Sequence, residues 1–425
     1  MGKVIDCFAG GGGASTGIEA ALGRPCDIAV NHDPKAIAMH RANHPRTHHV
    51  TEDIFSADLK SLVGDEPVDM MWASPDCTSH SKAKGGKPRE QGLRILPWAV
   101  HKHARELKPN VIFMENVAEI QKWGPLGADG RPIKAREGEE YNRFVDAMGE
   151  LGYTFECREL SACDFGAPTT RRRWYAVLRR DGRRTAWPDQ TNGDGLFFDP
   201  YVPVSKCIDF TDVGESIFER RRPLADATMR RIARGLRKFV LEDPSPFIVQ
   251  IGYGERKGQR PRVNSIHEPL GTVVAQGVKH YLCTPFITKF YRTNTGHRAD
   301  EPLHTITTSP GHFGLVSAFL VKYYGTGGAQ PVSAPLGAIT TRDRFGLVTV
   351  DIDGETYAVS DIRLRMLRPN ELKLAQGFPG EYIIDRYDDG TPVPVKQQVR
   401  MIGNSVVPVM AERIVSANME VKDAN

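Results

Sequence analysis

The sequence predicts an α/β chain in which a doubly wound, mostly parallel sheet is joined to a second, β-rich domain. Two observations carry the prediction. Over residues 1 to about 180, apolar strand-like runs alternate with helix-like segments. Such alternation gives parallel strands joined by right-handed crossovers. From about 245 to 350 helical periodicity stops, and Gly, Pro, Thr and β-branched residues form a threefold repeat.

Val4–Phe8 reads as the first strand, and Ala14–Leu22 as a helix stopped by Gly23. Asp27–Asn31 is the second strand. Pro34–Asn43 is the second helix, with Pro34 suited to a first turn, where its missing N–H would go unbonded anyway. Val68–Ala73, Val111–Glu115 and Trp174–Leu178 read as further strands, with Ile95–Leu107 and Tyr141–Leu151 as helices between them. In the repeat, Pro269-Leu270, Pro302-Leu303 and Pro335-Leu336 recur every 33 residues. Before them stand apolar-aromatic strands at Phe247–Val249, Phe286–Tyr291 and Phe319–Tyr324. After them come threonine-rich strands at Thr272–Val274, Thr305–Thr308 and Ile339–Thr341. Fixed-period self-similarity argues for one supersecondary unit used three times. Pro369–Gln376 is a short helix ending at Gly377, and Val406–Ala417 an amphipathic terminal helix. The expected boundaries are 1–243 for the α/β domain, 244–400 for the β-rich domain, and 401–425 for a segment returning to the first.

Of 425 residues, 40% are hydrophobic and 25% charged, as in an ordinary globular protein. No apolar run reaches the roughly 18 residues of a membrane helix. The N-terminus enters a strand at once, so no signal peptide is expected. Seven scattered cysteines without a CxxC pair argue against a zinc site or a disulfide framework. No metal is expected, and a reduced, cytoplasmic setting fits. Net charge is only +4, yet arginines cluster at 171–173 with 179–184 and again at 220–222 with 230–238. Two such clusters point to a polyphosphate partner.

Chemistry is expected at three strand ends, where open α/β sheets place ligands. Asp6-Cys7-Phe8-Ala9-Gly10-Gly11-Gly12-Gly13 follows a strand and opens a helix. Its glycines let backbone approach a ligand, and the helix N-terminus favours an anionic group. A P-loop is excluded, because the GxxxxGK[ST] lysine is missing. Asn31-His32-Asp33 ends the second strand, where nucleoside binders offer an acid to ribose hydroxyls. Asp53, beside Ile54, could accept from an adenine amino group. Cys77 lies in a polar loop after Ser74-Pro75-Asp76, and Glu115-Asn116 ends another strand. A thiol nucleophile needs a partner that stabilises its adduct, and Glu115 with Arg171 and Arg173 could supply one.

At these residues the chain resembles the C5-cytosine DNA methyltransferases of bacterial or phage type, over nearly its whole length. Asp6–Gly13 looks like the cofactor loop. Ser74-Pro75-Asp76-Cys77 with Ser81 looks like the nucleophile loop. Glu115-Asn116-Val117 and Arg171-x-Arg173 match the family's Glu-Asn-Val and paired arginines. Arg368-Pro369 through Gln376-Gly377-Phe378-Pro379 and Gly403-Asn404-Ser405-Val406-Val407-Pro408 match its last two signatures. Six motifs in the family's order make the resemblance specific. Three positions depart from the pattern. Asp76 stands where the family has proline, Asn31 where it has a ribose-binding glutamate, and Thr169 where it has glutamine.

The resemblance implies an S-adenosyl-L-methionine-dependent methyltransferase fold with a β-rich target-recognition domain. Cys77, Glu115, Arg171 and Arg173 would be catalytic. The cofactor would meet Asp6, Phe8, Ala9, Gly10, Gly11, Gly12, Gly13, Asn31, His32, Asp33, Asp53, Ile54, Pro75, Asn404, Ser405 and Val406. Double-stranded DNA would be the partner of a monomer that binds no membrane, with the target cytosine flipped out because chemistry on a base needs access that the stack denies. Ser79, Ser81, Lys82 and Lys84 would hold phosphates. Arg256, Arg260, Arg292, Asn294 and Arg298 would reach base edges. Two alternatives stay open: an RNA cytosine methyltransferase, and a catalytically silent DNA-binding protein of the same fold.

Overall fold

A computed structural model describes residues 2–76, 94–210, 212, 214–225, 228–229, 232–233, 236, 247–250, 263–265, 280–289, 296–306, 308, 312–322, 349–352 and 355–419. Chain contacts divide it into two compact units. Unit 1 comprises Met1–Val202, His304–Thr308 and Lys373–Asn425; unit 2 comprises Pro203–Leu303 and Ser309–Leu372.

Unit 1 is built on β1 (Lys3–Cys7), α1 (Gly13–Leu22), β2 (Ile28–Val30), α2 (Pro34–Asn43), β3 (His48–Val50), α3 (Leu59–Val63) and β4 (Val68–Ala73). There follow α4 (Leu96–Leu107), β5 (Val111–Asn116), α5 (Glu139–Glu150), β6 (Thr154–Ser161) and β7 (Arg172–Arg179). The seven strands run in the order β3-β2-β1-β4-β5-β7-β6. The pairs β1–β2, β2–β3, β1–β4 and β4–β5 are parallel. β7 runs antiparallel to both β5 and β6. Strand order reverses between β1 and β4, which makes their carboxyl ends the switch point where such sheets bind ligands.

Successive side chains on a strand face opposite ways, and here both faces are covered. Ile5, Met71, Ile112 and Met114 join a core with Leu59, Val63, Ala99, Ala104 and Phe144 on one face. Val4, Met70, Trp72, Val111 and Phe113 join Ala14, Ile18, Met410 and Ile414 on the other. Burial on both faces explains why these strands read as continuous apolar runs rather than alternating ones. Asp33 caps α2 by accepting the Lys35 N–H, and Pro34 fills its first position. Gly23 ends α1 at φ 68, a left-handed conformation that costs glycine little. The terminal helices are α6 (Pro369–Ala375), α7 (Val395–Asn404) and α8 (Pro408–Asn418). α8 packs on α1 so closely that a Cβ at Gly17 would stand 2.1 Å from the Pro408 carbonyl oxygen.

Unit 2 holds β8 (Glu215–Ser216), β9 (Phe247–Gln250), β10 (Val263–Ser265), β11 (His280–Lys289), β12 (His297–Arg298), β13 (Phe313–Lys322), β14 (Thr349–Ile352) and β15 (Glu355–Met366). They form an antiparallel sheet in the order β10-β9-β11-β13-β15-β14, with β12 on β11 and β8 on β15. The leading strands of the three repeats are therefore neighbours. Of the threonine-rich segments, 272–274 and 339–341 lie outside the described residues. Thr305–Thr308 is not the expected strand: its described residues are irregular and belong to unit 1. Buried Arg365 donates to both carboxylate oxygens of Glu371 at 2.7 and 2.6 Å, a bidentate pair that fixes the Asp209–Asp212 turn through their backbone.

Candidate active site

Three strand ends are stitched together at the switch point. The Ser74 N–H donates to the Cys7 carbonyl at 3.4 Å, and Asn116 donates its amide to the Pro75 carbonyl at 3.1 Å. Above them opens a cavity of about 1150 Å³, formed by unit 1 residues. Of the residues singled out in the sequence, Phe8, Gly10, Gly11, Asn31, His32, Asp33, Asp53, Ile54, Pro75, Glu115, Arg171, Arg173 and Asn404 line it. Asp76 does too, immediately before Cys77. Cys77, Ser79, Ser81, Lys82, Lys84, Arg256, Arg260, Arg292 and Asn294 lie outside the described residues.

The glycine run splits in two. Phe8 at φ 64, Gly10 at φ 53 and Gly12 at φ 90 carry the chain round the turn. Gly10 and Gly11 face the cavity. Gly12 and Gly13 face away, toward the C-terminal part of the unit. A Cβ at Gly12 would stand 2.1 Å from the Tyr382 hydroxyl; one at Gly13, 2.1 Å from Ser405 Oγ and 2.2 Å from the Val406 carbonyl oxygen. Asp6, Ala9, Gly12, Gly13, Ser405 and Val406 are not among the lining residues. Asp6 is fully buried, accepts a hydrogen bond from Ser15 Oγ at 2.6 Å, and its carboxyl is pushed up to about 7 by burial.

Glu115, next to last in β5, lies opposite Tyr175 of β7. Its Oε1 lies 3.3 Å from Arg173 Nε and 3.8 Å from an Arg171 amino nitrogen. All three side chains are largely buried. Glu115 Oε1 and Arg173 Nε are close, but neither makes a hydrogen bond. Arg171 also donates to the Gly403 carbonyl at 3.0 Å, tying the pair to α7. Asn31 does not extend into the cavity unengaged: its Oδ1 accepts the Asp33 N–H at 2.8 Å, while Asp33 faces Arg400 at 3.5 Å. Asp53 accepts the Phe55 N–H at 2.9 Å, closing a local turn.

Other lining residues were not singled out in the sequence: Glu52, Arg400 and Met401, and the repeat residues Thr305, Ile306 and Thr308. The 33-residue repeat marked the last three as special but not as cavity residues. The first arginine cluster separates along β7, an eight-residue strand roughly 25 Å long at about 3.3 Å per residue. Arg171–Arg173 lie at the cavity end and Arg179–Arg184 at the far one. Of the second cluster, Arg220 donates to the Leu364 carbonyl at 2.7 Å, and 230, 231, 234, 237 and 238 lie outside the described residues. Arg298, in β12, forms a two-point contact with Asp300 at 2.9 and 2.8 Å.

A doubly wound sheet, a glycine loop at its switch point and a carboxylate–arginine cluster sharing one cavity define the methyltransferase class. The model of the C-5 cytosine-specific DNA methylase family matches residues 2–196 and 317–420. The chain belongs to that family. It is 30% identical over 198 residues to the type II methyltransferase M.AquIA of Picosynechococcus sp., covering 45% of this chain and 77% of the relative. Against M.SacI of Streptomyces achromogenes it is 28% identical over 235 residues, 50% of this chain and 57% of the relative. With M.HhaI of Haemophilus parahaemolyticus it shares 27% over 179 residues, 42% of this chain and 49% of that protein. The chain thus spans only about half the length of the latter two relatives. The fold is shared with a DNA modification methyltransferase encoded within an E. coli prophage (TM-score 0.51, 17% identity, 98% of each chain). It is shared too with Spodoptera frugiperda DNMT2 (TM-score 0.54, 15% identity, 98% of each chain).

Proposed function

We propose that this chain methylates C5 of a flipped-out cytosine in a specific duplex DNA sequence, with S-adenosyl-L-methionine as donor and Cys77 as nucleophile. One observation carries the reading: Glu115, with Arg171 and Arg173 against it, shares a cavity with the glycine loop. In this reading unit 1 does the chemistry and unit 2 reads the sequence, a division that falls after Val202 and after Leu372 rather than at the expected 243/244 and 400/401.

The cavity residues suit the donor. At about 1150 Å³ it exceeds the usual single-ligand range of roughly 300–1,000 Å³, leaving room for a base beside the donor. Gly10 and Gly11 offer bare backbone. Phe8, Ile54 and Pro75 offer apolar walls, while Asn31, His32, Asp33 and Asp53 offer polar groups for ribose and adenine. Bound there, the donor supplies an electrophilic methyl on its sulfonium.

The chain's own residues then do the rest. Cytosine C5 is a poor nucleophile until the Cys77 thiolate adds to C6 and makes C5 enamine-like. Glu115 shares a proton at N3, removing the negative charge that addition places on the ring. Arg173 holds the O2 carbonyl, and Arg171, anchored to Gly403, keeps Glu115 in place. After methylation, loss of the C5 proton and expulsion of Cys77 restore the aromatic ring. Ser79, Ser81, Lys82 and Lys84 hold backbone phosphates near the target.

The test is transfer of labelled methyl from S-adenosylmethionine to mixed-sequence duplex DNA, followed by base analysis, for wild type and Cys77→Ala. 5-Methylcytosine from the wild type alone is expected, and sequencing the methylated sites gives the specificity. No label on DNA, or label on tRNA instead, overturns the reading.

A further inference from the structure

Tyr382 plays no part in the mechanism above, yet much of unit 1 converges on its hydroxyl. That hydroxyl donates to the Gly11 carbonyl oxygen at 2.6 Å. On the same peptide unit, the Gly12 N–H donates to the Ala9 carbonyl at 3.0 Å. Both polar groups of the Gly11–Gly12 peptide are therefore engaged. Without such engagement the plane would be poorly held, because glycines on either side admit many backbone conformations. The hydroxyl also fills the space that Gly12 leaves by having no Cβ.

Tyr382 is itself fixed from three sides. Buried Lys373 donates to the Gly380 carbonyl at 2.6 Å and to the Tyr382 carbonyl at 3.0 Å. Asn43, at the end of α2, accepts the Ile383 N–H and donates to the Ile383 carbonyl, both at 2.8 Å. The Phe378 ring packs against it at 4.6 Å. Behind the hydroxyl stands His44 Nε2 at 3.5 Å, and His44 Nδ1 lies 3.2 Å from Glu19. Gly11 lines the cavity while Tyr382 does not.

We propose that Tyr382 is a positioning residue that clamps the Gly11 carbonyl and so holds the glycine loop in its donor-binding shape, setting affinity for the methyl donor without touching it. The inference rests on the reading of this cavity as the donor site. Preorganising a loop raises affinity by removing the ordering cost from the binding step.

The test uses the full chain and Tyr382→Phe, which keeps the ring and removes only the hydroxyl. Calorimetry measures S-adenosylhomocysteine binding, and steady-state assays measure methyl transfer to duplex DNA. The net worth of one hydrogen bond predicts a donor Kd and donor KM raised about three- to tenfold. The kcat at saturating donor and the DNA KM should not change. A merely structural role gives the opposite split, since a smaller folded fraction lowers kcat and leaves KM alone; that result overturns the clamp. An unchanged donor Kd in Tyr382→Phe, with normal wild-type binding, also sinks the clamp alone. A wild type that binds no S-adenosyl compound takes down the reading of the cavity and the clamp with it.

Discussion

The two ends of β7 carry the same residue type in opposite states. At the far end, buried Arg179 is satisfied on every side. It donates to Asp181 at 3.0 and 2.6 Å and to the Asn418 backbone and side-chain oxygens at 3.1 Å, so it holds α8 against the sheet. At the cavity end, Arg173 Nε and Glu115 Oε1 are buried and close, but neither is hydrogen-bonded. Buried polar atoms in folded proteins nearly always find partners, so an orphaned pair needs a reason. Under the proposed function, a substrate base that offers an acceptor to Arg173 and a ring nitrogen to Glu115 would supply one. The Arg179 contacts serve the architecture; Arg173, whose Nε lacks a hydrogen bond although its Nη1 donates to the Arg172 carbonyl, lines the cavity where the proposed base would sit.

The largest effect should come from the cavity end. Glu115→Gln keeps the shape and removes the proton-sharing group, so kcat should fall about 10²- to 10⁴-fold, as for loss of a general acid–base group. Because Glu115 faces buried Arg171 and Arg173, loss of its charge should also lower stability, so activity is compared per folded molecule. Arg179→Met should lose stability instead of chemistry. Removing the buried guanidinium takes a donor from the Asn418 carbonyl, and a buried acceptor left without its partner costs about 1–3 kcal/mol of stability, while specific activity per folded molecule is retained. Denaturant melts paired with active-site titration separate the two. Equal loss of activity in both variants would break the contrast between the ends.

The glycine loop repeats the contrast on a smaller scale. Gly13→Ala drives a Cβ into Ser405 Oγ and the Val406 backbone, and overpacking of this kind costs about 1–3 kcal/mol. Gly10→Ala meets only the Phe8 carbonyl oxygen, at 3.7 Å, though its φ of 53 adds strain of order 1 kcal/mol. Gly13→Ala is expected to show mainly in the melt and Gly10→Ala mainly in S-adenosylhomocysteine binding. If Gly13→Ala lost ligand without losing stability, the division of the loop into two faces would be wrong.

What could be read in advance was what depends on local pattern. Apolar runs gave β1, β2, β4, β5 and β7 but not β3 or the half-exposed β6, Pro34 and Gly23 gave helix ends, and motif order singled out Glu115, Arg171 and Arg173, which the structure brings to one cavity. What escaped depends on contacts between distant parts of the chain. Strand direction is invisible to hydrophobic periodicity, so nothing marked β7 as antiparallel. Gly12 and Gly13 looked like ligand-facing glycines because their true neighbours, Tyr382, Ser405 and Val406, lie more than 360 residues further on. Arg171–Arg173 and Arg179–Arg184 looked like one cluster because sequence proximity hides the length of an extended strand. Thr305–Thr308 has the β-branched composition of a strand, but its described residues line the cavity instead. The histidines of 40–49 carried a signal that went unused: His40 and His44 stand four apart on one helix face.

Those histidines give the smallest effect and extend the comparison beneath the glycine loop. His40 Nε2 lies 3.0 Å from Ser15 Oγ, which donates to Asp6, and His40 Nδ1 lies 2.9 Å from His49 Nε2. Burial holds His40, His44 and His49 below the ordinary 6.5, with His49 at about 4. A depressed histidine contributes stability that is present above 6.5 and lost as pH falls toward its folded value. Asp6 acts in the other sense. Its carboxyl is raised from 3.8 to about 7, so its contribution is present below 3.8 and lost as pH rises through 7. Between pH 7 and 5, acidification therefore costs stability at three histidines and restores some at Asp6. The melting temperature of the wild type should fall modestly over that range. Asp6→Asn, which keeps an acceptor for Ser15 but removes the compensating titration, should make the fall steeper. A flat melt from pH 7 to 5, or a shallower slope in Asp6→Asn, would show that the network is not held neutral, and that the buried side of the loop titrates as freely as the surface.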